Sequence, residues 1–169
     1  MRRALCLLTI IMATMTAMAQ RGQDFASRFM QQYKEDGSVK CITVSPKMME
    51  QLMAMEGSER NDSLMQAIAK LKSMRIVQTE SDGEPYYQQA ETLLKKNAKR
   101  FEFVKNFRTE RAEGAFYQRK KTDDKVVELV MVGLSKIDNR FVLVNLTGDI
   151  DEEFIELLSQ MFGQRNTPE

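Results

Sequence analysis

Between residues 24 and 100 the apolar positions recur mostly at helical spacing, and between residues 101 and 146 they recur at every second position. Phe25, Phe29, Met30 and Tyr33 share one helical face, and Asp36-Gly37 closes the pattern, which predicts a first amphipathic helix over 24–35. Val39 to Val44 is rich in β-branched residues and predicts a strand. Ser45-Pro46 then supplies an N-cap and a first helical residue for a second helix carrying Met48, Met49, Leu52 and Met53, which ends near Glu56-Gly57. After the polar loop Ser58 to Asn61, Asp62 or Ser63 caps a third helix with Leu64, Ile68 and Leu71 on one face, and Met74 to Thr79 predicts a second strand. Ser81 to Pro85 is a turn-rich break. It leads into a fourth helix over Tyr86 to Arg100, with Tyr86, Ala90, Leu93, Leu94 and Asn97 facing inward.

The change of period brings four strands. Phe101, Phe103 and Phe107 alternate with polar neighbours. Gly114 to Arg119, Val126 to Leu134 and Arg140 to Leu146 follow, separated by short polar turns. That rhythm predicts a four-stranded antiparallel meander. Val126 to Val132 and Phe141 to Val144 are apolar at nearly every position, as in central strands covered on both faces. Asp149 or Asp151 caps a last helix with Phe154, Leu157, Leu158 and Met161, and Gly163 is placed to end it. The fold class expected is α+β, an antiparallel sheet with a C-terminal meander packed against several helices in one domain over 20–163. Residues 164–169 are expected to form a disordered tail.

The first nineteen residues follow a different pattern. Arg2 and Arg3 precede Ala4 to Ala19, an uncharged stretch ending in Ala17-Met18-Ala19. These are the charged, apolar and small-x-small parts of a secretory signal peptide. The stretch is broken by Thr9, Thr14 and Thr16 and falls short of the roughly 20 apolar residues of a membrane span. Cys6 lies at its front, away from any lipidation position. The expectation is therefore cleavage near Ala19 and a soluble periplasmic or extracellular protein with no transmembrane segment after cleavage.

Cleavage changes the inventory. The precursor has 25 basic and 24 acidic side chains, and loss of Arg2 and Arg3 leaves 23 against 24. No global field recommends a polyanionic partner. The chain has no histidine and no tryptophan, and beyond residue 19 it has one cysteine, Cys41. Ser-His-Asp and Cys-His nucleophiles, histidine metal sites and internal disulfides are thereby excluded, which leaves carboxylate, lysine, tyrosine or serine-lysine chemistry.

The layout resembles a family of small exported Bacteroidetes proteins known as domain of unknown function 4252. The residues carrying the likeness are Val44-Ser45-Pro46-Lys47-Met48-Met49, the Glu128 to Val132 strand and Leu146-Thr147-Gly148-Asp149-Ile150, within a stretch from Phe25 to Phe162. The resemblance implies an extracytoplasmic location and brings no catalytic residues.

Several clusters carry candidate chemistry. Met48, Met49, Met53, Met55, Met65 and Met74 could hold Cu(I) through thioethers, but they follow the helical period of Leu52, Leu64 and Ile68 and read as core. Asp149, Asp151, Glu152 and Glu153 suggest calcium, yet carboxylates also favour a helix start, and Asp149 with Glu152 has capping-box spacing. Cys41 in its apolar strand reads as a small buried hydrophobe. Asp62-Ser63-Leu64 resembles a short bacterial O-glycosylation acceptor, which makes Ser63 a modification candidate. Between residues 95 and 121 a locally basic stretch holds Lys95, Lys96, Lys99, Arg100, Lys105, Arg108, Arg119, Lys120 and Lys121, interleaved with Phe101, Phe103, Phe107, Phe116 and Tyr117. Alternation of solvated and buried strand faces explains most of this. The remainder points to a basic surface for an anionic partner, lipid phosphate, lipopolysaccharide or an acidic protein, with nucleic acid set aside by export.

No nucleophile-base pair, phosphate loop, metal cluster or cofactor motif is visible. The leading expectation is a non-enzymatic exported domain that binds an envelope protein, lipid or glycan. The alternatives are a two-carboxylate hydrolase or glycan-active enzyme, and a carrier for a small apolar ligand.

Overall fold

The computed structural model describes residues 23–55, 62–121 and 123–164. The expected signal peptide, the loop over 58–61 and residues 165–169 lie outside them. In chain order the elements are α1 (Phe25–Gln32), β1 (Val39–Val44), α2 (Pro46–Met55), α3 (Asp62–Ala69), β2 (Leu71–Thr79), α4 (Glu84–Lys96), β3 (Glu102–Arg108), β4 (Ala112–Lys120), β5 (Val126–Ser135), β6 (Phe141–Ile150) and α5 (Glu152–Gln164). The fold is α+β, with all six strands in one antiparallel sheet of order β1-β2-β6-β5-β4-β3.

Strands β3 to β6 pair in chain order, as a meander does, but they are not a separate unit. β2 pairs with the outer side of β6, and β1 with β2, so that β6 lies inside a larger sheet.

Helices cover both faces of that sheet. On one face α1 and α4 bring Phe25, Phe29, Ala90 and Leu94 against Val77, Val130, Val132, Phe141 and Leu143. On the other, α2, α3 and α5 bring Met49, Ile68, Phe154 and Ile155 against Leu129, Met131 and Leu146. This is why β5 reads as a continuous apolar run: alternate residues enter two different cores, whereas a sheet with one wet face would alternate apolar and polar. β1 is apolar in sequence but lies at the edge, and only Val39 and Val44 are buried.

Local chemistry moves several element ends. Leu71 is not on α3; it opens β2, three residues before Met74, by pairing with Gly148. α4 stops at Lys96, short of Arg100, because Asn97 caps it: its backbone N–H bonds the Leu93 and Leu94 carbonyls, and its amide donates to Leu93 O at 2.7 Å. β6 runs through to Ile150, which places Asp149 in a strand. Asp151 alone caps α5, its Oδ1 accepting the Phe154 N–H at 2.9 Å, so the Asp149–Glu152 capping box does not form. Gly163 does not end α5, which continues to Gln164.

Candidate functional site

The site forms where α1 meets the sheet. A helix start leaves backbone N–H groups without partners, and at α1 three side chains from three places supply acceptors. Asp24, in extended backbone before the helix, accepts from Ser27 N at 2.8 Å. Glu128 of β5 accepts from Phe25 N at 2.6 Å, and Asn145 of β6 accepts from Ala26 N at 2.7 Å. Glu128 is fully buried. Its second oxygen is bonded by Arg119 Nε of β4 at 2.7 Å, and Arg75 of β2 pairs with Asp24 at 2.9 Å. The helix N-terminus is thus fastened to β5 by a charge-assisted bond, which is stronger than a neutral one, and to β6 by the neutral Asn145 amide, while Arg119 of β4 and Arg75 of β2 hold the two carboxylates.

Beside this anchor the sheet is irregular on three neighbouring pairings. Between β2 and β6 the register skips Lys72; between β5 and β4 it skips Val127; between β6 and β5 it skips the Gly148-Asp149 step. Bulges of this kind break local pairing and re-aim side chains. All the skipped residues line one open cleft of about 540 Å³, which Lys121, Asp123 and Lys125 of the β4–β5 turn complete and into which Arg119 and Asp24 also face. Gly148 makes the close approach possible. Its φ is +153°, and a Cβ there would stand 2.6 Å from both Leu71 Cα and Lys70 O.

Some of the cleft's charges are committed. Lys70, at the rim, pairs with Asp151 at 2.9 Å, which raises the lysine's pKa and holds the Asp151 carboxyl low. Among the described residues Lys72, Lys121 and Lys125 carry no ion pair, and all three are exposed. The cleft thus presents three exposed ammonium groups beside a guanidinium committed to Glu128, with the carboxylates of Asp24, Asp123 and Asp149 on the same lining.

The basic stretch from residue 95 to 121 does not form one surface. Arg119 and Lys121 line the cleft. Lys95 pairs with Glu91 within α4, Lys105 reaches Glu156 of α5, Arg108 pairs with Glu113, and Lys120 with Glu102. Lys96 and Lys99 are exposed at the end of α4. Arg100 turns inward, donating to the Gln23 carbonyl at 2.8 Å and lying over the Phe101 ring. Strand alternation separates residues that the sequence places side by side.

Other candidates find different surroundings. Met49 is buried in the second core, Met74 packs against it, and Met48 is exposed; the side chains of Met53, Met55 and Met65 lie outside the description. Of the four acids near α5, Asp151 is held by Lys70 and by the helix N–H. Among the described residues no group of three or more acidic or cysteine side chains is placed to hold a metal ion. Ser63 falls in the first turn of α3, with its side chain outside the description. Cys41 is not a buried hydrophobe: β1 is an edge strand and the thiol is exposed. Partial desolvation still pushes its pKa up, against the pull of Arg75.

Sequence reasoning passed over Lys72, Lys125, Glu128 and Asn145. For the last two a sign was present: each is the lone polar residue in an apolar run, Val-Val-Glu-Leu-Val and Val-Leu-Val-Asn-Leu, on neighbouring strands. A buried polar residue in a central strand needs a partner, and here the partner is a helix start.

No helix among the described residues is long and apolar enough to cross a membrane. The profile of a protein family described as a domain of unknown function, DUF4252, matches residues 33–158, from the end of α1 into α5. No curated protein matches the chain.

Proposed function

The chain belongs to that domain-of-unknown-function family, and we propose that it is an exported, non-enzymatic binding domain whose bulged corner takes anionic groups of the cell envelope. The observation that carries the binding reading is the convergence of three register breaks on one cleft with three unpaired lysines. An open cleft with exposed, unpaired ammonium groups suits a partner that is broad and negatively charged, such as a membrane of acidic lipids. Attraction to such a surface is worth about 1 kcal/mol per lysine near it.

The carboxyls bear on the alternative. A general acid must have its pKa raised toward the working pH, whereas among the described residues every carboxyl whose pKa is shifted, at Asp36, Glu80, Glu102, Asp138 and Asp151, is shifted down by hydrogen bonds or cations. Support for export comes from Arg2, Arg3, the uncharged stretch to Ala19 and its small-x-small end.

Co-sedimentation of the purified protein with vesicles tests the binding. Phosphatidylglycerol vesicles should retain it and phosphatidylcholine vesicles should not. Retention should fall as salt rises through the Debye regime, and it should drop at least tenfold in the triple variant Lys72→Gln, Lys121→Gln, Lys125→Gln. Equal retention by neutral vesicles, or by the triple variant, would overturn the reading. Export is tested by the mass of the native protein: a chain beginning at Gln20 is expected, and one retaining residues 1–19 in the cytosol contradicts it.

A further inference from the structure

A second cationic feature lies on the other flank of α1. Arg28 of α1 and Arg100 of the α4–β3 turn both stand over the ring of Phe101, at 5.9 Å and 5.5 Å from its centroid. Phe101 is almost wholly buried, with its ring edge-on to Phe25, so the platform is fixed. Two guanidiniums on one ring repel each other, and the Arg100 pKa is lowered by desolvation, then by Arg28 and Arg119. Glu128 is the carboxylate acting on Arg100, but its two oxygens are bonded to Arg119 and to the Phe25 N–H.

Arg28 is the less satisfied of the two. Its Nε is buried with no hydrogen-bond partner, and among the described residues its guanidinium makes no ion pair. A buried donor without an acceptor carries an uncompensated desolvation cost. The same side chain lines a groove of about 270 Å³ between α1 and α4, with Phe25, Phe29 and Leu93 as apolar walls and Gln32 and Asn97 as polar ones. A guanidinium fork matches a tetrahedral oxyanion bidentately, and an apolar wall beside it accommodates a hydrocarbon substituent.

We propose that Arg28 and Arg100, stacked on Phe101 beside this groove, form a binding site for a phosphate oxyanion. The anion would accept from the Arg28 guanidinium where that side chain lines the groove, and would relieve the repulsion between the two cations. The source of the phosphate is either the free ion or the monoester headgroup of a lipid, and the two differ in what the groove contributes. The site shares no lining residue with the lysine cleft, so it stands whether or not the cleft binds membranes.

Isothermal titration of the purified protein with inorganic phosphate, and with dihexanoyl phosphatidic acid below its micelle concentration, tests the proposal at low salt. One-to-one binding of at least one probe is expected. It should weaken at least tenfold in Arg28→Gln and in Arg100→Gln, and less than twofold in Lys105→Gln, which lines neither the groove nor the lysine cleft. Tighter binding of the lipid assigns the site to a headgroup, and equal affinity assigns it to the free ion; either supports the site. A second measurement on the unaltered protein guards against misfolded variants: the bound probe should protect Arg28 and Arg100 from phenylglyoxal, read by mass spectrometry. No binding of either probe, wild-type affinity in both arginine variants, equal loss in Lys105→Gln, or absence of protection overturns the proposal.

Discussion

Glu128 accepts the Phe25 N–H at 2.6 Å across 103 positions of sequence, and together with the Asn145–Ala26 bond it places the start of the first helix over the central strands β5 and β6. The carboxylate is fully buried, and Arg119 is its counter-charge. Removing one partner of a buried ion pair leaves the other desolvated and costs about 3–5 kcal/mol. Glu128→Ala should therefore lower the urea-unfolding free energy by about that much. Glu128→Gln should cost less, because its amide oxygen still accepts from Phe25 N. Equal stability of wild type and Glu128→Ala would show that the anchor contributes nothing.

Gly148 makes a second test because its environment is backbone and cannot move aside. A Cβ at this position meets Leu71 Cα and Lys70 O at 2.6 Å, and the φ of +153° disfavours any side chain. Strain of that kind costs about 1–3 kcal/mol. Gly148→Ala should destabilise by at least that amount. At Gly37, where nothing lies within 4 Å of an added Cβ, the same substitution should stay within about 0.5 kcal/mol. Thermal unfolding of the two variants side by side decides it.

These two residues also mark how far sequence reading carries. Periodicity exposes the order of helices and strands because burial repeats locally, and the apolar runs of β5 and β6 expose a sheet covered on both faces. Periodicity carries nothing about which strands lie at the edge, so Cys41 reads as core although among the described residues β1 has no strand beyond it. The cleft was not legible for a related reason. Lys72, Val127 and Gly148 come together only through skipped residues in three pairings, and a skip leaves no periodic trace in a single strand. Lys105 and Lys120 show the converse: close in sequence, they are bound to acids on different elements, Glu156 and Glu102.

The Asp151–Lys70 pair predicts an acid-side change. The Asp151 carboxyl is held below its ordinary value, first by the Lys70 hydrogen bond and next by the Phe154 N–H, with burial working against them. A lowered folded pKa means the contribution is complete above the unfolded carboxylate value near about 4 and is lost as pH falls through the lower folded value. Asp151→Asn keeps a capping side chain and removes the charge, so it should lose this contribution at pH 7, flatten this part of the acid limb and converge with wild type at low pH. Asp151→Ala also loses the cap and should cost about 0.5–2 kcal/mol at pH 7. Stability curves of the three proteins between pH 2 and 7 test both statements.

Cys41 provides the last test, because burial and exposure predict opposite chemistry. Its thiol is exposed on β1, yet partial desolvation raises its pKa, with Asp24 adding to the rise and Arg75 opposing it. The thiolate is the reactive form. Native protein should therefore be alkylated by iodoacetamide without unfolding, slowly at pH 7 and faster as pH climbs past the ordinary thiol range. Cys41→Ser should alter stability by no more than about 0.5 kcal/mol, as at other exposed positions. Val44→Ala, at the buried end of the same strand, removes apolar atoms from the second core and should cost more. A thiol that reacts only after denaturation would return Cys41 to the interior.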